Sequence, residues 1–182
     1  MDLAISQFVF GLIGRWGWLD GGIIFLAKFL PYLMGLAFLF FLFQIKFWPR
    51  KIYFGLFAIL AVIISRGFFI EIIRFFYDRP RPFEVLGLDS LLTVNDPAFP
   101  SAHAAFFFTL AFVLFLFNHR WGWAFAGLAL VNGLARIFSG VHWSSDILGG
   151  LLVAFASVFI TNRLLKKFSP DNHLVESKRS DS

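Results

Sequence analysis

Residues 52–76 form the run IYFGLFAILAVIISRGFFIEIIRFF, which is apolar apart from a few positions. An α-helix needs about 20 mostly apolar residues to cross a bilayer, so this run is long enough to span one. Its charged residues are Arg66, Glu71 and Arg74. A charge at the bilayer centre costs about 2.5–3.5 kcal/mol on insertion scales, so each of the three needs a partner or a function. The run predicts a membrane helix that supplies charged groups to the protein interior.

Composition extends this conclusion to the whole chain. Of its 182 residues, 59% are hydrophobic and 15% are charged, whereas soluble domains have about 45–50% apolar and about 25% charged residues. The mean hydropathy is +0.77. The chain has no cysteine, which excludes disulfides, thiolate nucleophiles and thiolate metal sites. We therefore expect an integral membrane protein.

Further apolar runs define the expected architecture. Besides 52–76, the predicted spans are 21–45, 101–118, 121–138 and 144–162. The short apolar run at 3–14 is either an interfacial helix or a partial span. The predicted fold class is all-α: a polytopic membrane bundle of five to six transmembrane helices. We expect one membrane domain over residues 1–168, followed by a polar, disordered cytoplasmic tail at 169–182.

The basic residues give the chain an orientation. Lysine and arginine in short loops mark the cytoplasmic side of a membrane protein. The loop residues that indicate this side are Lys46, Arg50, Lys51, Arg120, Arg163, Lys166 and Lys167. The loop at 77–100 then lies outside. We interpret the net charge of +5 as this topology signal and not as a nucleic-acid surface. The N-terminus lacks a basic n-region, so no cleaved signal peptide is expected.

Polar residues converge on the outer side of this predicted bundle. The residues that reach it are Arg74, Arg81, Ser101, His103, Arg136, His142 and Asp146. Three arginines in one place repel each other unless an anion offsets them, and the arginine fork binds phosphate oxygens in pairs. The start of the span at 101–118 adds free backbone N–H groups. The simplest missing anion is phosphate.

Two histidines suggest what happens to that phosphate. His142 and Asp146 are four residues apart, so on a helix they share a face. An aspartate bonded to one imidazole nitrogen fixes the tautomer and leaves the other nitrogen free as a nucleophile. His103 comes from another span and is a candidate proton donor to a leaving group.

Three segments carry a family resemblance. RFFYDRPRP at 74–82, FPSAH at 99–103 and ARIFSGVHWSSD at 135–146 resemble, in order and spacing, the signature motifs of the type-2 phosphatidic acid phosphatase superfamily. The chain departs from the family pattern at three places. Arg74 stands where the family has lysine, Ala102 replaces a glycine and Ala135 replaces a serine. No acid, base or nucleophile is lost.

The resemblance implies a two-step phosphatase mechanism. His142 forms a phosphohistidine, Asp146 orients His142, and His103 protonates the leaving oxygen and then activates water. The phosphoryl oxygens are held by Arg74, Arg81, Ser101, the N–H of Ala102 and Arg136. No metal or other cofactor is expected, because the arginines supply the positive charge. Glu71 is expected to brace Arg74 three residues later, or else to pair with Arg66 across the bundle.

The same resemblance suggests a substrate and a location. A short chain with few loops is most similar to the bacterial undecaprenyl-diphosphate phosphatases of this superfamily, which work at the outer face of the cell membrane. The alternatives are a phosphatidate or phosphatidylglycerophosphate phosphatase, a lipid A phosphatase or phosphotransferase, and a non-catalytic lipid-binding protein. All of them have a membrane lipid phosphate and the bilayer as partners.

Some residues also have purely structural interpretations. Arg79 lies outside the motif spacing and is expected to be a solvated loop residue. His142 with Asp146 is alternatively a local capping pair, and Arg136 alternatively extends to the membrane interface. Lys28, inside the first span, is expected to do the same or to meet a helix partner. The loop at 84–99 is either a lid or an interfacial helix.

Overall fold

The computed structural model describes residues 2–168 and residue 170. Within those residues the chain is all helical, as predicted, and contains no β-strand. The helices are α1 Asp2–Phe10, α2 Gly17–Lys28, α3 Leu30–Gln44, α4 Trp48–Val62, α5 Glu71–Phe76, α6 Pro82–Leu86, α7 Ala102–Phe117, α8 His119–Phe138 and α9 Ser144–Leu165. A π-helical segment, Ile63–Ile70, joins α4 to α5, and a 3₁₀ turn, Lys166–Phe168, follows α9. The predicted tail lies, apart from residue 170, outside the described residues.

The run that opened the sequence analysis folds as one continuous helical rod. Together, α4, the π-helical segment and α5 cover Trp48–Phe76, with Pro49 in the first turn, where its missing N–H costs nothing. The π-helical segment contains Arg66. Because π-helical turns concentrate at functional sites, this placement singles out Arg66 for closer attention.

The first predicted span is broken. Instead of one helix at 21–45, the chain forms α2 and α3, which meet at Phe29 with a bend of 40°. Pro31 lies in the first turn of α3, where its ring and missing N–H are incompatible with a continuous helix from α2. The break places Lys28, the last residue of α2, beside the interior of the bundle.

The centre of the bundle is α7, which packs between α8 and α9 and also contacts α4. Small buried side chains such as Ala105 and Ala111 allow this close packing. The backbones of α9 and of the start of α7 approach closely at Gly150, where a Cβ atom would lie 2.7 Å from the carbonyl oxygen of Ser101. This contact holds the start of α7 against the first turns of α9.

The chain is a multi-pass membrane protein by length and composition of its helices. Among the described residues, Trp48–Phe76, His119–Phe138 and Ser144–Phe168 are long and apolar enough to cross a bilayer, and the bent pair α2–α3 makes a fourth candidate. Helix α7 is apolar but has 16 residues. Helix α1, at nine residues, is too short to span. The count of five to six crossings therefore stays a prediction.

The loop at 77–100 lies over the end of the bundle that holds the candidate site. It contains the short helix α6 and then irregular backbone. The N–H of Leu91 donates to the carbonyl oxygen of Ser139 at 3.0 Å, which ties the loop to the end of α8. Residues 91–94 line a cavity together with His103 and Arg136. The segment is thus a cover over the site with only one short helix in it.

Candidate active site

The candidate nucleophile lies in the turn between α8 and α9. His142 is buried, and its Nδ1 lies 3.3 Å from Oδ2 of Asp146. Its Nε2 lies 3.3 Å from Oγ of Ser101. Gly140 shapes this turn with a φ of 80°, and a Cβ there would lie 2.7 Å from the ring of Phe10. Three of the predicted site residues, His142, Asp146 and Ser101, are therefore in contact.

Asp146 is held by more groups than His142 alone. Its Oδ2 also accepts a hydrogen bond from the backbone N–H of Trp143 at 2.8 Å, at the start of α9. Its Oδ1 accepts one from Arg79 at 2.6 Å. The carboxylate is fully buried. These bonds fix its orientation, so that it accepts from the Nδ1–H of His142 and leaves Nε2 unprotonated.

The prediction that Arg79 is a solvated loop residue is wrong. Besides Asp146, its guanidinium donates to Oγ of Ser145 at 2.6 Å and to Oδ2 of Asp2 at 2.9 Å. It also lies 5.3 Å from the ring centre of Trp143. A buried carboxylate needs a cation beside it, and Arg79 is that cation for Asp146.

Asp2 closes this network from the other end of the chain. It accepts hydrogen bonds from both the backbone N–H and the hydroxyl of Ser145. The network thus links α1 to the first turn of α9 across 143 residues of sequence. No sequence pattern predicted the contact, because a single aspartate near a terminus has no characteristic spacing to its partner.

Two of the predicted phosphate-binding arginines bind the same carboxylate, which was not among the predicted site residues. Arg81 is buried and donates to the carbonyl oxygen of Val141 at 2.5 Å, and to the backbone and side chain of Asp96 at 2.8 Å each. Arg74 forms an ion pair with the same Asp96 carboxylate and donates to the carbonyl of Pro100 at 3.2 Å. Asp96 therefore bridges Arg74 and Arg81.

The bridging carboxylate is ionised and partly open to solvent. Partial burial raises the pKa of Asp96, but the charges of Arg74 and Arg81 outweigh burial and hold that pKa below its usual value. Its side chain is 52% exposed. The two arginines thus already hold an anionic group, and a phosphate has to compete with it.

Arg136 is the third arginine, and it differs from the other two. It is buried at the end of α8, and its guanidinium makes no hydrogen bond to any residue that the structure describes. Its Nε is buried without a partner. The alternative interpretation, in which Arg136 extends to the membrane interface, stays a prediction. Its charge faces a cavity of about 400 Å³ that it shares with His103.

The start of α7 supplies the remaining predicted groups. Ser101 caps the helix, and its Oγ accepts from the backbone N–H of Ala104 at 3.4 Å. Ala102 is the first residue of α7, where backbone N–H groups have no partner within the helix. His103 is exposed and lines the same 400 Å³ cavity as Arg136. Asp96, Arg79 and Asp2 are the polar residues here that sequence reasoning missed.

This arrangement agrees with a comparison of the chain with known families. Residues 55–170 match the family model described as the PAP2 superfamily. The chain belongs to the PAP2 superfamily. The match includes all three motifs and every residue assigned to the site from sequence. It confirms the predicted enzyme class, a phosphatase acting on phosphoric esters or anhydrides of membrane lipids.

Relatives of this PAP2 protein include bacterial and archaeal proteins. It is 27% identical over 163 residues to the bacitracin transport permease protein BcrC of Bacillus licheniformis, covering 86% of this chain and 77% of the relative. It is 29% identical over 125 residues to the undecaprenyl-diphosphatase BcrC of Bacillus subtilis strain 168, covering 68% and 62%. It is 30% identical over 118 residues to an undecaprenyl-diphosphatase of Sulfolobus acidocaldarius, covering 61% and 56%.

Two solved PAP2-type folds resemble this one. The phosphatidylglycerolphosphate phosphatase from Bacillus subtilis matches with a TM-score of 0.68 at 21% identity, covering 93% of this chain and 86% of that one. LpxE from Aquifex aeolicus matches with a TM-score of 0.70 at 23% identity, covering 89% and 94%. At these identities the comparison establishes the fold.

One predicted supporting contact of the PAP2 site is not found. Glu71 is exposed, and its side chain makes no hydrogen bond or ion pair within residues 2–168. Arg74 is paired with Asp96 instead, and Arg66 has no carboxylate partner in the same part of the chain. The prediction that Glu71 braces Arg74 or pairs with Arg66 is therefore wrong. Helix spacing predicted that Glu71 and Arg74 would meet, but the loop at 77–100 supplies the carboxylate of Asp96 to Arg74.

The environment of His142 keeps it neutral in this PAP2 site. Complete burial lowers the pKa of His142 well below its usual value of 6.5, and the nearby charges of Arg136, Arg81 and Arg74 lower it further. A neutral imidazole has a free lone pair and can attack phosphorus, whereas an imidazolium cannot. The arginines that bind an anion thus also keep the candidate nucleophile in its reactive form.

Proposed function

We propose that the protein hydrolyses undecaprenyl diphosphate to undecaprenyl phosphate and inorganic phosphate through a phosphohistidine at His142. Two of the relatives bear the name undecaprenyl-diphosphatase, which supports the substrate. The observation that supports the mechanism is the position of His142. Its Nδ1 faces Asp146, and its Nε2 points at the start of α7 among the arginines.

In the first step, His142 acts as the nucleophile. Its Nε2 attacks the terminal phosphorus, and the bond from that phosphorus to the bridging oxygen breaks. Protonated His103 donates its proton to the departing oxygen and becomes neutral. Asp146 stabilises the positive charge that develops on the imidazole, as the carboxylate of a catalytic triad does. The products are undecaprenyl phosphate and a phosphorylated His142.

In the second step, His103 acts as a base. It takes a proton from water, and the resulting hydroxide attacks the phosphorus of the phosphohistidine. The phosphorus–nitrogen bond breaks, inorganic phosphate leaves, and His142 returns to its neutral form. His103 ends the cycle protonated, so the enzyme is ready for another substrate. A single group thus serves as acid and then as base.

The arginines hold the phosphoryl oxygens during both steps. The substrate phosphate replaces the Asp96 carboxylate on Arg74 and Arg81, because a dianion pairs with two guanidinium groups more strongly than a half-exposed carboxylate. No protein group has to be displaced from Arg136, since its guanidinium has no hydrogen-bonded partner among the described residues. The hydroxyl of Ser101 and the N–H of Ala102 complete the cradle. No metal or cofactor takes part in the proposed cycle.

We place this site at the outer face of the cell membrane, with the C-terminus in the cytoplasm. The site residues lie at the start of α7, the end of α8 and the start of α9, which is one end of the bundle. The basic loop residues Arg50 and Arg120 lie at the starts of α4 and α8, which is the other end. By the positive-inside rule, the basic end faces the cytoplasm.

Phosphate release by the purified protein in detergent tests the proposal. The substrates are undecaprenyl diphosphate, phosphatidate, phosphatidylglycerophosphate and lipid A, each with EDTA present. We expect fastest release from undecaprenyl diphosphate, loss of release in His142→Ala, and an acid-labile phosphoryl group on the wild type after rapid quenching. His119→Ala is the matched control, because His119 is exposed at the opposite end of the bundle. Faster release from another lipid would replace the substrate, and activity retained by His142→Ala would refute the mechanism.

A further inference from the structure

An apolar cavity of about 880 Å³ adjoins the candidate site. It lies between α3, the rod formed by α4 and the π-helical segment, and the first turns of α7. Its walls are mostly aliphatic and aromatic, with members such as Leu36, Ile59 and Phe107. His103 lies in the lining, so the cavity reaches the candidate proton donor. We call it the lipid cavity.

Two cations also line the lipid cavity. Lys28 comes from the end of α2, at the break before α3, and Arg66 comes from the π-helical segment. Neither side chain makes a hydrogen bond or an ion pair within the described residues. The ammonium of Lys28 lies 5.9 Å from the ring centre of Phe29. A helix partner for Lys28 and the pairing of Arg66 with Glu71 are therefore not found there, whereas the extension of Lys28 to the membrane interface stays a prediction.

The side chains of Lys28 and Arg66 are exposed, so their charged groups are accessible to an anion beside this apolar wall. Lys28 and His103 also line the smaller cavity that contains Arg136. The two cavities thus share Lys28 and His103, and positive charge extends from Arg136 past His103 to Lys28 and Arg66.

We propose that Lys28 and Arg66 form a second anion site, which binds the phosphate that stays on the lipid while the hydrocarbon chain lies in the lipid cavity. This inference rests on the proposed function. The terminal phosphate lies on Arg74, Arg81 and Arg136, and the oxygen that departs faces His103. Whatever is attached to that oxygen must then lie on the Lys28 and Arg66 side of His103.

The chemistry of the leaving group explains why two cations are useful there. When a diphosphate lipid is cleaved, the leaving group is a lipid monophosphate, and its negative charge grows as the bridging bond breaks. Cations placed at that position stabilise the transition state more than the ground state. A monophosphate lipid leaves as a neutral alcohol and gains nothing from them. Lys28 and Arg66 therefore select diphosphate over monophosphate substrates.

Paired short-chain substrates test this selection. Farnesyl diphosphate and farnesyl phosphate differ only by the second phosphate, so kcat/KM for each is measured with Lys28→Gln and Arg66→Gln. We expect each variant to lose about tenfold on the diphosphate, the size of one charged hydrogen bond, and less than about threefold on the monophosphate. Lys28→Arg and Arg66→Lys keep the charge and should retain most of the preference. Arg50→Gln, an exposed basic residue at the opposite end, is the control. Equal losses on both substrates, or no loss on either, would overturn the inference.

A binding measurement separates this inference from the proposed function. In a His142→Ala background, which cannot turn over, we expect farnesyl diphosphate to bind at least about tenfold tighter than farnesyl phosphate. Adding Lys28→Gln and Arg66→Gln should abolish that preference. If wild type releases no phosphate from diphosphates, the proposed function fails. The second anion site fails only if the inactive protein shows no diphosphate preference, or if the preference survives both substitutions.

Discussion

The two sides of His142 differ in how their charges are balanced. On the Asp146 side, Arg79 is matched by two carboxylates, those of Asp146 and Asp2. On the His103 side, Arg136, Lys28 and Arg66 have no carboxylate partner among the described residues. Cations that are paired within the protein hold the nucleophile in position. Cations that are unpaired have charge left for a ligand. Charge balance therefore separates the residues that position the nucleophile from the residues that bind a ligand.

This comparison predicts the largest effect at Asp146. Asp146→Asn keeps the shape but presents an amide that favours the wrong imidazole tautomer, and a comparable change in a catalytic triad costs about 10⁴ in kcat. We expect kcat for the best diphosphate substrate to fall by about 10³–10⁴ with little change in KM. Asp89→Asn, at an exposed position of the loop at 77–100, is the control. A fall below tenfold would mean that Asp146 serves only to cap α9.

On the binding side, Arg136→Gln should have the next largest effect. The substitution removes a cation that has no internal partner to leave behind, so the loss reports on the ligand. We expect kcat/KM to fall by about 10²–10³, the usual cost of removing one preorganised donor. The unfolding temperature in detergent should stay the same or rise, because a buried unpaired charge has been removed. A lower unfolding temperature with unchanged kcat/KM would contradict the binding role.

Arg79→Gln should lower stability as well as activity, unlike Arg136→Gln. Its partners Asp146 and Asp2 would lose their cation, so both stability and activity should fall. We expect kcat to fall about tenfold to a hundredfold, from the loss of hydrogen bonds to charged groups, together with a lower unfolding temperature. Adding Asp2→Asn should cost less in the Arg79→Gln background than in the wild type. Additive effects of the two changes would show that they do not act through one network.

Asp96→Asn should produce a modest gain in anion binding. The Asp96 carboxylate competes with phosphate for Arg74 and Arg81, and half-exposed ion pairs are worth about 1 kcal/mol, or about fivefold in affinity. We expect orthovanadate to inhibit the variant about fivefold more strongly than the wild type. Because the pKa of Asp96 is held below its usual value, the difference should persist across neutral pH. Weaker inhibition would instead make Asp96 a residue that positions the arginines.

The smallest expected effect concerns pH. The pKa of His142 is lowered, so as pH falls from 8 through its usual value of 6.5 the ring should remain neutral. Histidine-selective ¹⁵N NMR of the unliganded protein, with His142→Ala to assign the signal, should show no protonation of His142 in that interval. Exposed His119 serves as the internal comparison. Protonation of His142 at or above pH 6.5 would mean that the arginine cluster does not control the nucleophile.

Local patterns account for what the sequence predicted correctly. Apolar runs long enough to cross a bilayer predict membrane helices wherever they lie, because the hydrocarbon core accepts little else. The four-residue spacing of His142 and Asp146 also predicted their contact, although His142 lies in the turn before α9 and only Asp146 is in its first turn. The break at Phe29 could also be predicted, because Pro31 lies inside the predicted span at 21–45.

Contacts between distant segments account for what the sequence missed. Arg79 on Asp146, Asp96 between Arg74 and Arg81, and Asp2 on Ser145 join residues that no periodicity relates. Helix spacing favoured Glu71 as the partner of Arg74, yet the loop at 77–100 supplies Asp96 instead.

The sequence by itself therefore determined the membrane class, the helices, the motifs and the residues whose side chains can take part in catalysis or binding. Only the tertiary structure decided which charges are neutralised inside the protein and which stay unpaired. The physical reason is that a buried charge is satisfied by whichever group the folded chain brings within hydrogen-bonding distance, and the path of the loop at 77–100 sets that choice. Among the described residues, the side chains of Arg136, Lys28 and Arg66 have no carboxylate partner, and this is a property of the whole bundle.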